Sequence, residues 1–186
     1  MSVPATMSTL NFSGVYTHNQ SLSDVSSFAS MGFPEAVLQA LAKSSETGKL
    51  TVEHTTAGGI ETLVYEYTYT SEADGAQSMR DSLVLGASER TVEFPTGPTA
   101  MAAARAAPKD LEDAALAGGW DKDTEEHGVV VIDTRSLGDD KWAHKMAQGF
   151  QEADGERHMV RNMVITTADG EKHTARLVFD YQGPAN

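Results

Sequence analysis

Two arginines, a histidine and a set of methionines are the residues of this sequence best placed to do chemistry. Arg161 alternates with Met159, Met163 and Ile165 at a spacing of two, so it shares one strand face with apolar neighbours. Arg176 sits in a similar alternation within residues 174–181. A cation on an inward face would need a bound anion or an internal acid, because an unpaired buried charge is costly. Otherwise each arginine is a solvated side chain paired with one of the many carboxylates. His144, beside Trp142 and Lys145, is a candidate general acid or base if it lies in a cavity, and His144 or Lys145 is a further candidate to fix an acidic group. A lone histidine on a strand is more often structural. Tyr67 shares a face with Leu63, Tyr65 and Tyr69, a pattern that cross-strand packing alone explains. Met146, Met159 and Met163, with Phe28 and Met31, suit the wall of an irregular apolar cavity, although any one of them is as readily ordinary core.

Other chemistries lack their residues. The six histidines form no close ligand pair and there is no cysteine, so no metal site, disulfide or thiol nucleophile is expected. The acidic alternation at residues 121–126 lacks the glycine and distal glutamate of a calcium loop and reads as a solvated loop. No Gly-x-Ser-x-Gly elbow and no glycine-rich phosphate loop occur. The 186 residues carry 14 Lys+Arg against 27 Asp+Glu, a net charge of −13, which argues against a nucleic-acid partner. No apolar run is long enough to span a membrane, and the opening residues lack a secretory signal, so a cytoplasmic location is expected.

The elements that must position these side chains are mostly β. Residues 1–11 are small and polar and read as a flexible arm. Residues 12–182 read as a single domain: a first strand at 12–19, then a change to helical spacing. Leu22, Val25, Phe28, Ala29 and Met31 recur at three- and four-residue steps, Gly32 stops the helix and Pro34 opens a second. Together they predict a helix-turn-helix lid over 22–44. Strand candidates follow at 49–56, 60–70, 79–85, 88–95, 128–136, 141–150, 157–167 and 172–182, joined by turns rich in Gly and Asp-Gly. The expectation is an antiparallel up-and-down β-barrel of nine or ten strands, which removes exposed edges by closure. Residues 96–127 interrupt it. They are Ala-rich around Met101–Arg105 and again after Pro108, and predict a helical insertion lying on the surface.

This order of elements resembles the intracellular lipid-binding family, the fatty-acid- and retinoid-binding proteins of the calycin superfamily. Phe12-Ser13-Gly14-Val15-Tyr16 is similar to the family's opening Phe-x-Gly-x-Tyr/Trp, and Met31-Gly32-Phe33-Pro34-Glu35 to its Gly-Leu-Pro-Glu-type turn. Val84-Leu85-Gly86 with Glu93-Phe94 resembles its mid-barrel region. The resemblance implies a ligand carboxylate held by an Arg-x-Tyr pair on the last strand. Arg176 occupies the arginine position, but Val178 stands where the tyrosine belongs. If Arg176 points inward, then Leu177, Phe179 and Tyr181 point outward and need a cover, which the insertion could supply.

The sequence therefore predicts a non-enzymatic carrier of a hydrophobic small molecule such as a fatty acid, retinoid or pigment. Arg176, Arg161, Tyr67, Phe28, Met31, Met159 and Met163 are its candidate binding residues, and no cofactor is expected beyond the ligand. The alternative is an enzyme on the same barrel, an isomerase, cyclase or luciferase-like oxidase, with His144, Arg161 and Tyr67 as acid/base candidates. A third reading makes the acidic insertion a docking surface for a protein partner.

Overall fold

Alternation of period two dominates the chain, and it builds ten strands: β1 (Gly14–His18), β2 (Lys49–Ala57), β3 (Ile60–Ser71), β4 (Gly75–Val84), β5 (Arg90–Phe94), β6 (Gly97–Ala106), β7 (Val129–Ser136), β8 (Ala143–Ala153), β9 (Glu156–Thr166) and β10 (Lys172–Gly183). The computed structural model describes residues 2–27, 48–71, 75–94, 97–138 and 142–185. The expected lid, from Phe28 onward and including Met31, lies outside the described residues.

All pairings are antiparallel, and the sheet order is β4-β3-β2-β1-β10-β9-β8-β7-β6-β5. The sheet curls on itself into a half-barrel, so that side chains from every strand meet in one inner core. Tyr16, Val52, Leu63, Leu83, Met101, Ile132, Phe150, Met159 and Phe179 belong to it, with Val92 of β5 packed against it. The edge strands β4 and β5 form no ladder with each other. What joins them is the Arg90–Asp81 ion pair at 2.7 Å, with the Gly86 N–H donating to the Ala103 carbonyl at 2.8 Å nearby.

Residues 97–106 are a correction to the sequence reading. They form β6 rather than the start of a helical insertion. Alanine favours helix only weakly, and tertiary pairing overrides it. Arg90 of β5 sits opposite Met101, and Asp133 of β7 sits opposite Ala102. The helical part of the insertion is confined to a 3-10 turn (Pro108–Asp110), α1 (Ala114–Ala117) and α2 (Lys122–His127). The acidic stretch read as a loop is α2 itself. The Asp121 side chain accepts from the Thr124 N–H at 2.8 Å, and Asp123 and Glu125 occupy the first turn, where the helix dipole favours negative charge.

This insertion covers the outer face of the sheet. Leu116 and Trp120 pack with Val129, Val131, Ala147, Val160, Val164 and Val178 in a second apolar cluster. Gly149 makes the approach possible: a Cβ there would lie 2.6 Å from Thr124 Cγ2 and 2.9 Å from the Trp120 ring. Trp120 is anchored in turn by its indole N–H, which donates to the Leu116 carbonyl at 2.8 Å.

The opening arm is held across one end of the barrel. Val3 is buried and its N–H donates to the Arg157 carbonyl. The Arg157 guanidinium donates to the carbonyls of Pro4 and Met7 and pairs with Asp121 at 2.6 Å. Below the arm, Arg105 pairs with Glu61 and donates to the Thr9 carbonyl at 2.9 Å. His54 completes this end: its Nδ1 accepts from the Phe12 N–H at 3.1 Å, so its Nε2–H donates to Glu61 at 2.8 Å and the ring is neutral. At the opposite end β3, β5, β7 and β9 finish and β4, β6, β8 and β10 begin.

Candidate functional site

Arg161 lies inside the barrel. Strand β9 alternates so that Met159, Arg161, Met163 and Ile165 share the inner face, and the register sets Arg161 opposite Gln148 of β8 and Leu177 of β10. Its Nε–H donates to the Gln148 Oε1 at 2.8 Å, and the Tyr65 hydroxyl donates to the same oxygen at 3.2 Å. The guanidinium carbon sits 4.8 Å from the centre of the Tyr65 ring and 5.2 Å from that of Phe179, within range of cation–π attraction.

No carboxylate pairs with Arg161 among the described residues. Burial pulls its pKa below the usual arginine value, with the Tyr65 hydroxyl acting in the opposite sense. Burial likewise raises the Tyr65 phenol. The surroundings add further unmatched polarity. Gln148 is fully buried, and its Nε2 has no hydrogen-bond partner. His18, inward on β1 with its ring 5.7 Å from Phe179, has no partner for either nitrogen, and burial lowers its pKa although Asp180 opposes this. The site is thus a cation and several unspent donors set among aromatic and methionine side chains.

Arg176 is placed on the other side of the sheet. Ala175, Leu177, Phe179 and Tyr181 face the inner core, and Val178 faces the outer cluster beneath the insertion. Arg176 shares the parity of Val178, and its guanidinium donates to the Gln151 Oε1 at 2.9 Å. The apolar alternation of β10 decides this, since three large apolar residues outweigh one arginine for the inner face. Arg176 and Arg161 are therefore not brought together. Lys145 also points outward and pairs with Asp133 at 3.4 Å.

The remaining expected residues are on the inner face where described. Met159 and Met163 are buried core residues, and Tyr67 is half-buried against the same core, with its ring 5.7 Å from that of Tyr69. His144 faces inward near the start of β8, stacked on Trp142 with ring centres 6.2 Å apart. Burial lowers its pKa to about 4, so the imidazole is neutral near pH 7. Phe28 and Met31 lie outside the described residues. Gln148, His18 and Thr134 are inner-face polar residues that the sequence reading passed over. The first was visible as the polar member of Met146-x-Gln148-x-Phe150, and the second as the end of Gly14-x-Tyr16-x-His18.

Two grooves lie elsewhere. One, of about 420 Å³, opens on the outer face between the insertion and β7–β9, and its charges pair locally as Lys145–Asp133, Lys172–Asp113 and Arg135–Glu89. Another, of about 100 Å³, lies in the β4–β5 seam beside Arg90 and Met101. Thr134 and His144 also line the larger groove. Among the described residues no His, Asp and Glu cluster is arranged to hold a metal ion, and no helix is long and apolar enough to cross a membrane. Comparison with known protein families and with curated proteins finds no match to this chain.

Proposed function

We propose that the protein binds and carries a hydrophobic small molecule with an acidic head, such as a fatty acid, retinoid or carboxylated pigment, inside the curled sheet. One observation carries the reading: Arg161 faces the core without a carboxylate partner among the described residues. An unpaired buried cation is costly, and an anionic ligand would offset that cost while its apolar body meets the aromatic and methionine walls. The family resemblance and a cytoplasmic setting are part of the same reading.

Native mass spectrometry of the purified protein, followed by denaturation and solvent extraction, tests it directly. A stoichiometric lipophilic acid is the expected result. Titration with a fluorescent fatty acid and with retinoic acid should then give saturable binding that Arg161→Gln weakens roughly 30-fold, the effect of truncating one side of a buried charge pair. An empty protein that takes up neither probe would overturn the proposal.

A second reading, an enzyme acting on a lipophilic substrate, rests on the inward-facing His144, which burial holds unprotonated near pH 7 as a weak general base. Under it, His144→Ala would retain ligand binding and lose turnover.

A further inference from the structure

The inner face carries a second group of unmatched polar atoms, distinct from the Arg161 cluster. His144 of β8 sits directly across from Thr134 of β7 and from Ile165 of β9, and Thr134 in turn faces Met101 of β6. Thr134 is buried, and its Oγ1 has no hydrogen-bond partner. The His144 Nδ1 is equally buried and unpartnered, and Trp142, stacked 13° from parallel, fixes the plane of the ring. Buried polar groups are nearly always satisfied, so two adjacent exceptions on one inward row call for a ligand group.

Their position relative to Arg161 is set by the strand. Gln148, the partner of Arg161, and His144 are four residues apart on the same face of β8, about 13 Å along the strand. Between them lies an apolar belt of Met146, Met163, Ile132, Ala103 and Ala175. A molecule anchored by its acid at Arg161 and lying along this belt would bring its far end to His144 and Thr134.

We infer that His144 and Thr134 receive a hydroxyl or oxo group at the tail of the ligand, so that the interior selects a bifunctional acid over one with a plain hydrocarbon tail. This rests on the acid-binding reading of the interior given above. The chemistry is matched: a neutral imidazole offers one donor and one acceptor, and a threonine hydroxyl offers both. A hydroxyl on the ligand satisfies them together. A methyl end leaves both buried and unpaired, which is the situation in which polar sites discriminate most strongly.

Calorimetric titration with unsubstituted fatty acids of graded length and with their ω-hydroxy counterparts tests the inference. At one chain length the hydroxy acid should bind about tenfold tighter, the effect of satisfying one or two buried groups. His144→Phe, which keeps the stacking on Trp142, and Thr134→Val, which keeps the shape, should each reduce that preference, with the plain acid binding as tightly as before or tighter. Arg161→Gln should weaken both series alike. Should His144→Phe fail to fold, Thr134→Val carries the same readout. Equal binding of the two series at every length, with Arg161→Gln still weakening both, would overturn this inference and leave the carrier reading standing. Arg161→Gln without effect on either series, or no binding of either by the unaltered protein, would overturn the carrier reading and this inference with it.

Discussion

Arg161 places opposite demands on the empty and the occupied protein. With no anion bound, its guanidinium has lost part of its hydration and has gained, among the described residues, one side-chain acceptor and two ring faces. Replacing it by methionine should therefore stabilise the delipidated protein by about 1–3 kcal/mol in urea denaturation while weakening acid binding. A loss of stability on that substitution would mean that Arg161 is already compensated. The buried histidines make a second prediction. The pKa of His144 is lowered from 6.5 to about 4, so the folded state binds fewer protons than the unfolded one. Its contribution is fully present above pH 6.5 and is lost as pH falls toward 4, about 3 kcal/mol in all. Burial also lowers His54, whose Nδ1 must stay unprotonated to accept from Phe12, so it acts in the same direction. Equilibrium unfolding followed between pH 7 and 4 should show this decline, and His144→Phe should flatten part of it. Arg161 was legible as an inward cation from its apolar strand-mates. Arg176 was not, because a two-residue period assigns faces without saying which face is inner; Leu177, Phe179 and Tyr181 on the core side and the cover over Val178 decide it together.

At the scale of elements, the insertion and its landing site depend on each other. Gly149→Ala would drive a methyl into Thr124 and Trp120, and should cost about 1–3 kcal/mol and shift Trp120 fluorescence while the strands persist. Strand β6 is testable by hydrogen exchange: amides of residues 99–105 should be protected almost as well as those of β8, whereas those of the four-residue helix α1 should exchange faster. The sequence marked most strands well, because β-branched and aromatic alternation and Asp-Gly turns carry their own local signal. It missed β6 because alanine has no strand signal of its own. That strand exists because Met101 and Ala103 have a core to face and because β5 and β7 supply partners on either side, all of which is information from elsewhere in the chain.

At the scale of the whole molecule, the two ends of the barrel are built differently. The arm, Arg157, Arg105, Glu61 and His54 close one end with a connected set of ion pairs and hydrogen bonds. Removing residues 2–10 takes the Pro4 and Met7 carbonyls from Arg157 and the Thr9 carbonyl from Arg105, and it removes the buried Val3 side chain from the core. At a loss of about 3 kcal/mol, the Tm should fall by roughly 6–12 °C. At the other end the described residues form no comparable set of ion pairs. The β4–β5 seam is also lightly held, since the Arg90–Asp81 pair is partly exposed and such pairs contribute little.

The place of β1 and β10, side by side in the middle of the sheet order, bears on how the chain is made. As residues leave the ribosome, β1–β4 can pair into one meander and β5–β9 into another, through hairpins except at the longer β1–β2 and β6–β7 connections. The strand that joins the two is the last of the ten to emerge. Until residues 172–183 are free, the open sides of β1 and β9 both present unpaired backbone groups, the condition under which nascent strands find wrong partners. The curled sheet can therefore form only after translation of its final strand, and a chain stopped short of Lys172 would leave two sticky half-sheets rather than a slightly smaller version of the same fold.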